Sequence, residues 1–382
     1  LKVGPFAEGS AKEKERVLHT SANGIETMDN GYMRKDLSAS ELTVLMGNGI
    51  NLGNTMEAYG HISLGTEAPV SSYETLWGQP VTTQEMITGM KNAGFDTLRI
   101  PVAWTNAMDY ESGDYTIRED YLNRVEEIIN YALNENMYVV INDHWDGSWW
   151  GMFGSASEET RQKAWDLYTS MWTQIAERYK EYSDYLIFES ANEELGNRLN
   201  DTDVAADSGA LSADECYEMT LKINQKFVDI VRGTGGNNES RFLLIAGYNT
   251  DVDMTTDDRY IMPTDPANEV NKLILSVHYY TPWGYCGNES LSLWGTKRNY
   301  GEMNSLLESL TKFTDQGYGV IIGEYGVLVK SDGTLKKNAA LYYKNFLDNC
   351  DLYNFCPLLW DCNNLYNRQD CKSLCKRGCH DR

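Results

Sequence analysis

Eight short runs, at 49–52, 97–102, 138–142, 185–190, 241–246, 272–280, 319–323 and 355–360, are almost continuously apolar, and stretches of helical periodicity separate them. A strand with one face in solvent alternates polar and apolar residues; a continuous apolar run is what a strand buried on both faces requires. The helical stretches carry their own start signals. Thr82 with Glu85, and Ser212 with Glu215, fit the capping box in which hydroxyl and carboxylate each satisfy a free backbone N–H. Met86, Met90 and Ala93 then share a face, as do Trp165, Tyr168, Trp172 and Ile175, and Ile223, Phe227 and Ile230. Gly94 stands where a left-handed helix cap is expected, and further helices are predicted over 122–133, 303–313 and 341–347. Strand and helix in alternation predict the α/β class with a parallel sheet, and eight strands favour closure into a (β/α)8 TIM barrel over an open sheet.

No repeat of a few tens of residues and no Pro- or Gly/Ser-rich linker divides the chain. The organisation read from it is a polar leader over 1–35, one (β/α)8 domain over 36–368 and a Cys-rich tail over 369–382. Strand 8 lacks the amphipathic helix that should cover it, since 367–382 offers only Leu374 among Cys, Lys, Arg and Asp. The last helix is therefore expected to be incomplete or altered, and barrel closure imperfect there.

Lys and Arg number 33 against 56 Asp and Glu, a formal net charge of −23. That balance opposes nucleic acid and anionic membrane surfaces as partners. No run is long and apolar enough to predict a membrane helix. Aromatics are plentiful, with 10 Trp and 25 Tyr, and flat apolar faces suit stacking on rings or sugars. Of 8 Cys, six lie between Cys350 and Cys379; Cys371, Cys375 and Cys379 beside His380 suggest a metal, but no Cys-x-x-Cys pair is present and the spacing fits zinc poorly. Disulfides of a secreted protein, or free thiols in the tail, are the readings left.

In such a barrel the chemistry collects at the carboxyl ends of the strands. The polar residues closing the apolar runs are Arg99, Asn142-Asp143-His144, Glu189 to Glu193, His278-Tyr279-Tyr280, Glu324 and Trp360. Two carboxylates at the ends of strands 4 and 7 would face each other across the mouth, a geometry suited to glycoside cleavage by an acid and a nucleophile. The acid has to hold its proton, which desolvation and a neighbouring negative charge favour, and the nucleophile has to stay ionised, which Arg99 and a Tyr hydroxyl would support. His278 and Tyr280, two apart on a strand, point to the same side.

The segments Asn51-Leu52-Gly53-Asn54-Thr55, Arg99-Ile100-Pro101-Val102, Asn142 to His144, Asn192-Glu193, His278-Tyr279-Tyr280, Ile322-Gly323-Glu324-Tyr325-Gly326 and Trp360-Asp361 together resemble the ordered signature of glycoside hydrolase family 5. Asp36 to Leu42, ahead of Asn51-Leu52-Gly53-Asn54, is similar to its subfamily 4 endoglucanases. The resemblance runs over about 36–368. It implies a retaining endo-β-1,4-glucanase, with Glu193 as acid/base and Glu324 as nucleophile. Asn192 would bond the sugar 2-hydroxyl, Arg99 and Tyr280 would hold Glu324 ionised, His144 and His278 would complete the catalytic subsite, and Trp360 would be its stacking floor. Asn54 and Trp145 are further candidate substrate contacts; Trp145 stands where the family usually has His or Asn, so stacking would replace a hydrogen bond. No cofactor and no metal is implied. The partner implied is a β-1,4-linked polysaccharide such as cellulose, mixed-linkage glucan or xyloglucan, and the expected protein is a secreted monomer.

Fold and carboxylates do not fix the sugar, so a xyloglucanase, lichenase, xylanase or mannanase on the same site is the alternative. A non-catalytic carbohydrate-binding barrel is another, against which both Glu193 and Glu324 speak, and a metal-dependent barrel hydrolase is a third. Trp145, Trp149, Trp150, Trp283 and Trp294 fall in predicted loops, where stacking on sugar and plugging the loop are equally open. Trp165 and Trp172 read as core. The acidic stretch 251–258 lacks EF-hand spacing and reads as a solvated loop.

Overall fold

A computed structural model of the protein describes residues 19–20, 26–27, 29–147, 149–203 and 207–373. Eight parallel strands form a closed barrel: β1 (Gly49–Asn51), β2 (Thr97–Ile100), β3 (Tyr138–Asn142), β4 (Leu186–Glu189), β5 (Leu243–Ala246), β6 (Leu273–Tyr279), β7 (Gly319–Tyr325) and β8 (Cys356–Leu359). All but one of their residues are buried, because side chains alternate between the barrel interior and the helix ring and both are apolar surroundings. Each strand lies within the predicted run or overshoots it by two residues.

The covering helices are α1 (Ala39–Leu45), α2 (Gln84–Asn92), α3 (Glu119–Asn134), α4 (Glu158–Arg178), α5 (Ala213–Gly233), α6 (Lys297–Ser309) and α7 (Ala339–Tyr353). The Ser212–Glu215 capping box is formed as expected at α5. At α2 the cap is Thr83, not Thr82: the Thr83 hydroxyl accepts from Met86 N, while Thr82 N donates to Glu74 Oε1. Gly94 takes φ +102°, the left-handed turn that ends α2. The segment 251–258 forms a short helix, Val252–Thr256, capped by Asp251, with Asp257 paired to Arg259 and Asp258 to Lys312.

Closure is complete, contrary to the expectation of an imperfect seam: Leu358 pairs with Gly49 and Leu359 with Ile50. Among the described residues no helix follows β8. A small hairpin, Tyr366–Asn367 with Lys372–Ser373, takes its place, and the Tyr366 hydroxyl donates to Met86 O on α2. Asp361 organises this turn by accepting four successive backbone N–H groups, from Asn363 to Tyr366. Buried Arg368 donates to Asp361 O within this turn and reaches back to Gly53 O and Thr55 Oγ1 in the loop after β1. Cys375, Cys379 and His380 lie outside the described residues.

At the amino ends of the strands, Arg34 forms an ion pair with Asp184 at 2.9 Å and lies over the stacked rings of Tyr138 and Tyr185. Asp29 accepts from Ser183 N and Oγ. The stretch 29–35 is thus docked on the underside of the barrel, and α1 packs there too, its Thr43 hydroxyl bonded to Asn354 O.

Candidate active site

Arg99 closes β2 with its side chain fully buried, and five hydrogen bonds distribute its charge. Nε and Nη2 donate to Glu189 at 2.8 and 3.3 Å, Nη1 to Glu324 Oε1 at 3.0 Å and Asn51 Oδ1 at 2.9 Å, and Nη2 to Asn192 Oδ1 at 2.9 Å. One guanidinium, with donors fixed in a plane, therefore sets the positions of groups from β1, β4 and β7 and the turn after β4. Glu189 takes a further bond from Ser276 Oγ at 2.8 Å.

Glu324, on β7, is held at both oxygens. Arg99 takes Oε1, and the Tyr280 hydroxyl donates to Oε2 at 3.0 Å. Glu193 lies four residues beyond the end of β4, and His278 Nδ1 sits 2.8 Å from its Oε1 and 3.6 Å from Glu324 Oε2. Two carboxylate oxygens face Nδ1, so that nitrogen carries the proton whatever the charge of the ring. Carboxylate oxygens of Glu193 and Glu324 and a ring nitrogen of His278 lie within 4.8 Å of one another. That cluster has the spacing of a cation site, but both oxygens of Glu324 already accept from Arg99 and Tyr280.

Burial raises the pKa of Glu324, and the charges of His278 and Arg99 only partly offset it. For Glu193 burial acts the same way, but the His278 hydrogen bond and charge outweigh it and lower its pKa. The difference follows from position, since His278 sits nearer Glu193 than Glu324. His278 is itself raised: burial opposes its charge, and Glu324 and Glu193 overcome that. His144 is held well below 6.5 by burial, with Arg99 and His278 adding repulsion, so it is neutral. Burial keeps the Tyr280 hydroxyl protonated and able to donate.

The other predicted residues line the same mouth. His144 lies parallel to Trp360, ring centroids 6.0 Å apart at 12°, and its Nδ1 meets Asn142 Nδ2 at 3.2 Å. Trp360 rests on Gly53, where a Cβ would come 3.0 Å from its ring. Asn192 Oδ1 is taken by Arg99, which turns the amide nitrogen away from the guanidinium. Asn54 sits in the left-handed region, φ 58°, and Glu57 gathers its backbone N–H and that of Thr55. Trp145 is 37% exposed and meets Tyr59 edge-on at 5.5 Å.

The loop tryptophans divide. Trp283, 62% exposed, stands edge-on to Tyr280 at 6.2 Å and lines one depression of about 260 Å³ with Glu193, His278 and Tyr280. Trp149 and Trp150 are buried, stacked 4.3 Å apart beneath the mouth, and Trp294 is buried against Tyr342. Those three plug loops.

Sequence reasoning placed Asp143 and Glu189 at the strand ends without a role, and did not single out Ser276, Asp146 or Glu194. Glu194 Oε2 accepts from Asn192 N at 2.8 Å and so shapes the turn that carries Glu193. Burial raises Glu194 to about 8 and Asp146 to about 6. The available signals were the polar endings of the β3 and β4 runs, at Asp143 and Glu189.

With this geometry in view, the comparisons with known proteins agree. The cellulase family model, glycosyl hydrolase family 5, matches residues 62–365. Endoglucanase A of Paenibacillus barcinonensis is 36% identical over 88% of this chain and 86% of its own length. The xyloglucan-specific endo-beta-1,4-glucanase BoGH5A of Bacteroides ovatus is 34% identical over 87% of this chain and 66% of its own. The solved structure of a GH5-4 broad specificity endoglucanase from Ruminococcus champanellensis with bound cellotriose superposes with a TM-score of 0.77, at 31% identity over 89% of this chain and 96% of that one. The matched residues span the barrel from the loop after β1 to the turn after β8, and the chain belongs to glycosyl hydrolase family 5.

Proposed function

We propose that the protein is a retaining endo-β-1,4-glucanase acting on soluble or amorphous β-glucan outside the cell. The observation that carries this reading is the approach of the Glu193 and Glu324 carboxylates to within 4.8 Å. Carboxyl groups about 5 Å apart suit attack by one of them on the anomeric carbon, whereas inverting enzymes need ~6.5–9.5 Å to seat a water.

Glu324, aimed by Arg99 and Tyr280, attacks the anomeric carbon as Glu193 protonates the departing glycosidic oxygen. Glu193 then takes a proton from water, whose oxygen displaces Glu324 and releases the sugar with its configuration retained. The positive charge that develops at the sugar ring next to Glu324 favours its anion, and the departing oxygen draws the proton of Glu193. Asn192 offers its amide nitrogen to the 2-hydroxyl, neutral His144 offers a ring nitrogen, and Trp360 supplies the floor on which the ring rests.

Trp145 and Trp283 are exposed in the segments after β3 and β6, two different strand ends, which supports several sugar subsites and internal cleavage. The xyloglucan-specific relative supports a second reading, in which branched glucan is accepted as well. Viscosity and reducing-sugar release on carboxymethylcellulose, mixed-linkage glucan, xyloglucan, xylan and glucomannan test both. A fast viscosity drop on the glucans is expected, unchanged by exhaustive chelation and lowered at least ~10³-fold by Glu193→Gln or Glu324→Gln. Folded wild-type protein that is silent on all five polymers would overturn the proposal.

A further inference from the structure

Lys336 lies in the loop after β7, 4% exposed; Glu289 favours its charge from a distance, and among the described residues no carboxylate forms an ion pair with its ammonium. Four backbone carbonyls of one neighbouring loop surround Nζ instead: Gly284 at 3.4 Å, Tyr285 at 2.7 Å, Leu291 at 3.1 Å, and Asn288. The face of the Tyr285 ring lies 5.2 Å away. A ring of carbonyl oxygens is how proteins replace the hydration shell of a bare cation. Burying an ammonium is unfavourable unless such oxygens replace its water, so a lysine in this place fixes whatever its carbonyls belong to.

Those carbonyls belong to the segment that carries Trp283. Leu291 N closes it on Gly284 O at 2.9 Å, and the Trp283 ring lies so close over Gly287 that a Cβ there would fall 2.4 Å from three ring atoms. The loop after β7 ties down the rest: Leu328 N donates to Cys286 O, the Tyr285 hydroxyl to Lys337 O, and Asn338 Nδ2 to Trp294 O. Two loops from different strands thus make one wall, with the Lys336 ammonium at its centre and Trp283 on its cleft side.

We infer that Lys336 is a positioning residue for substrate recognition: its ammonium acts as the built-in cation of a carbonyl cage that folds 284–291 and presents Trp283 to the glucan chain. This rests on the glucanase reading, since Trp283 is taken to stack on sugar.

Lys336→Ala and the volume-matched Lys336→Met are compared with wild type on mixed-linkage glucan, alone and in a Trp283→Ala background. Both substitutions are expected to raise KM about five-fold while kcat falls less than two-fold, as for lost substrate binding away from the reacting atoms. In the Trp283→Ala background neither should raise KM further, because Lys336 acts through that ring. n-Propylammonium, which replaces the side-chain atoms removed, should restore KM in Lys336→Ala and leave Lys336→Met unchanged. An unchanged KM, or a rise that persists in the Trp283→Ala background, would overturn the assignment. Hydrogen exchange over 284–291 reads the cage without any substrate: it should quicken in both variants and slow again with n-propylammonium in Lys336→Ala. Wild-type exchange rates in Lys336→Met would remove the cage even if the enzyme is active. Quickened exchange in a protein that hydrolyses no glucan would keep the cage, sink the glucanase reading and with it the recognition role.

Discussion

Removing the guanidinium of Arg99 would leave Glu189 and Glu324 buried with no compensating charge, and would free Asn51 and Asn192 at the same time. Breaking a buried pair from one side costs about 3–5 kcal/mol, more than the pair itself contributes, because the abandoned carboxylate stays desolvated. Arg99→Met should therefore lower the urea-unfolding free energy by about that much and reduce kcat/KM by about 100-fold, since Glu324 loses its aim as well as its charge partner. Lysine does not substitute, as a point charge cannot serve groups from three strands in one plane. Equal stability of Arg99→Met and wild type would refute this account. At this scale the sequence was informative where a polar residue ended an apolar run, as at Arg99, His278 and Glu324. It was silent on Glu194 and Asp146, because nothing local distinguishes a carboxyl that folds inward from one left in water. That His278 lies nearer Glu193 than Glu324 was likewise hidden, since it depends on how the turn after β4 folds.

Among the elements, the strands were legible because burial on both faces leaves an uninterrupted apolar run, and that run stops where the strand leaves the barrel. Helix starts were legible to within one residue where a capping signal marked them, whereas the helices predicted from 122, 303 and 341 begin at Glu119, Lys297 and Ala339, because apolar spacing alone does not show the polar first turn. Thr82 and Thr83 both offer a hydroxyl, and the choice fell to Thr83 because Glu74 had already claimed the backbone of Thr82. The absence of an eighth covering helix was visible in the composition of 367–382, but the hairpin that replaces it rests on long-range bonds from Asp361 and Arg368 that no local pattern encodes. The capping box of α5 gives a direct test of how local signals add to stability. Ser212→Ala removes the acceptor for Glu215 N and should cost about 1 kcal/mol in urea unfolding, with kcat and KM unchanged, because the helix end stands clear of the cleft residues described. A loss below about 0.3 kcal/mol would mean that α5 is held by packing alone.

Taken whole, the molecule carries a formal charge of −23 and keeps several carboxyls in its interior with raised pKa values. Burial lifts Glu57 to about 7, Asp146 to about 6 and Glu194 to about 8, and raises Asp143, beside Asp146, well above 3.8. Between the ordinary value and the raised one, the folded state holds a proton that the unfolded chain has released. Their contribution to stability is therefore complete below about pH 4 and lost as pH rises towards 8, in the direction that growing self-repulsion also favours. The melting temperature should accordingly peak on the acid side, near pH 5, and decline steadily to pH 8; Glu194→Gln, which keeps an acceptor for Asn192 N without the ionisable proton, should flatten the decline. A melting temperature that rises between pH 5 and pH 8 would contradict it. The partition of the tryptophans has an optical consequence at this same scale. Trp104, Trp149, Trp150, Trp172 and Trp294 are sealed from solvent, whereas Trp145 and Trp283 stand open at the mouth and Trp77 on the surface. Sealed indoles emit towards the blue and escape aqueous quenchers, so the red edge of the spectrum belongs mainly to the open three. Glucan covering Trp145 and Trp283 would dim quenching there, which makes the enzyme its own fluorescent gauge of cleft occupancy, with no label attached.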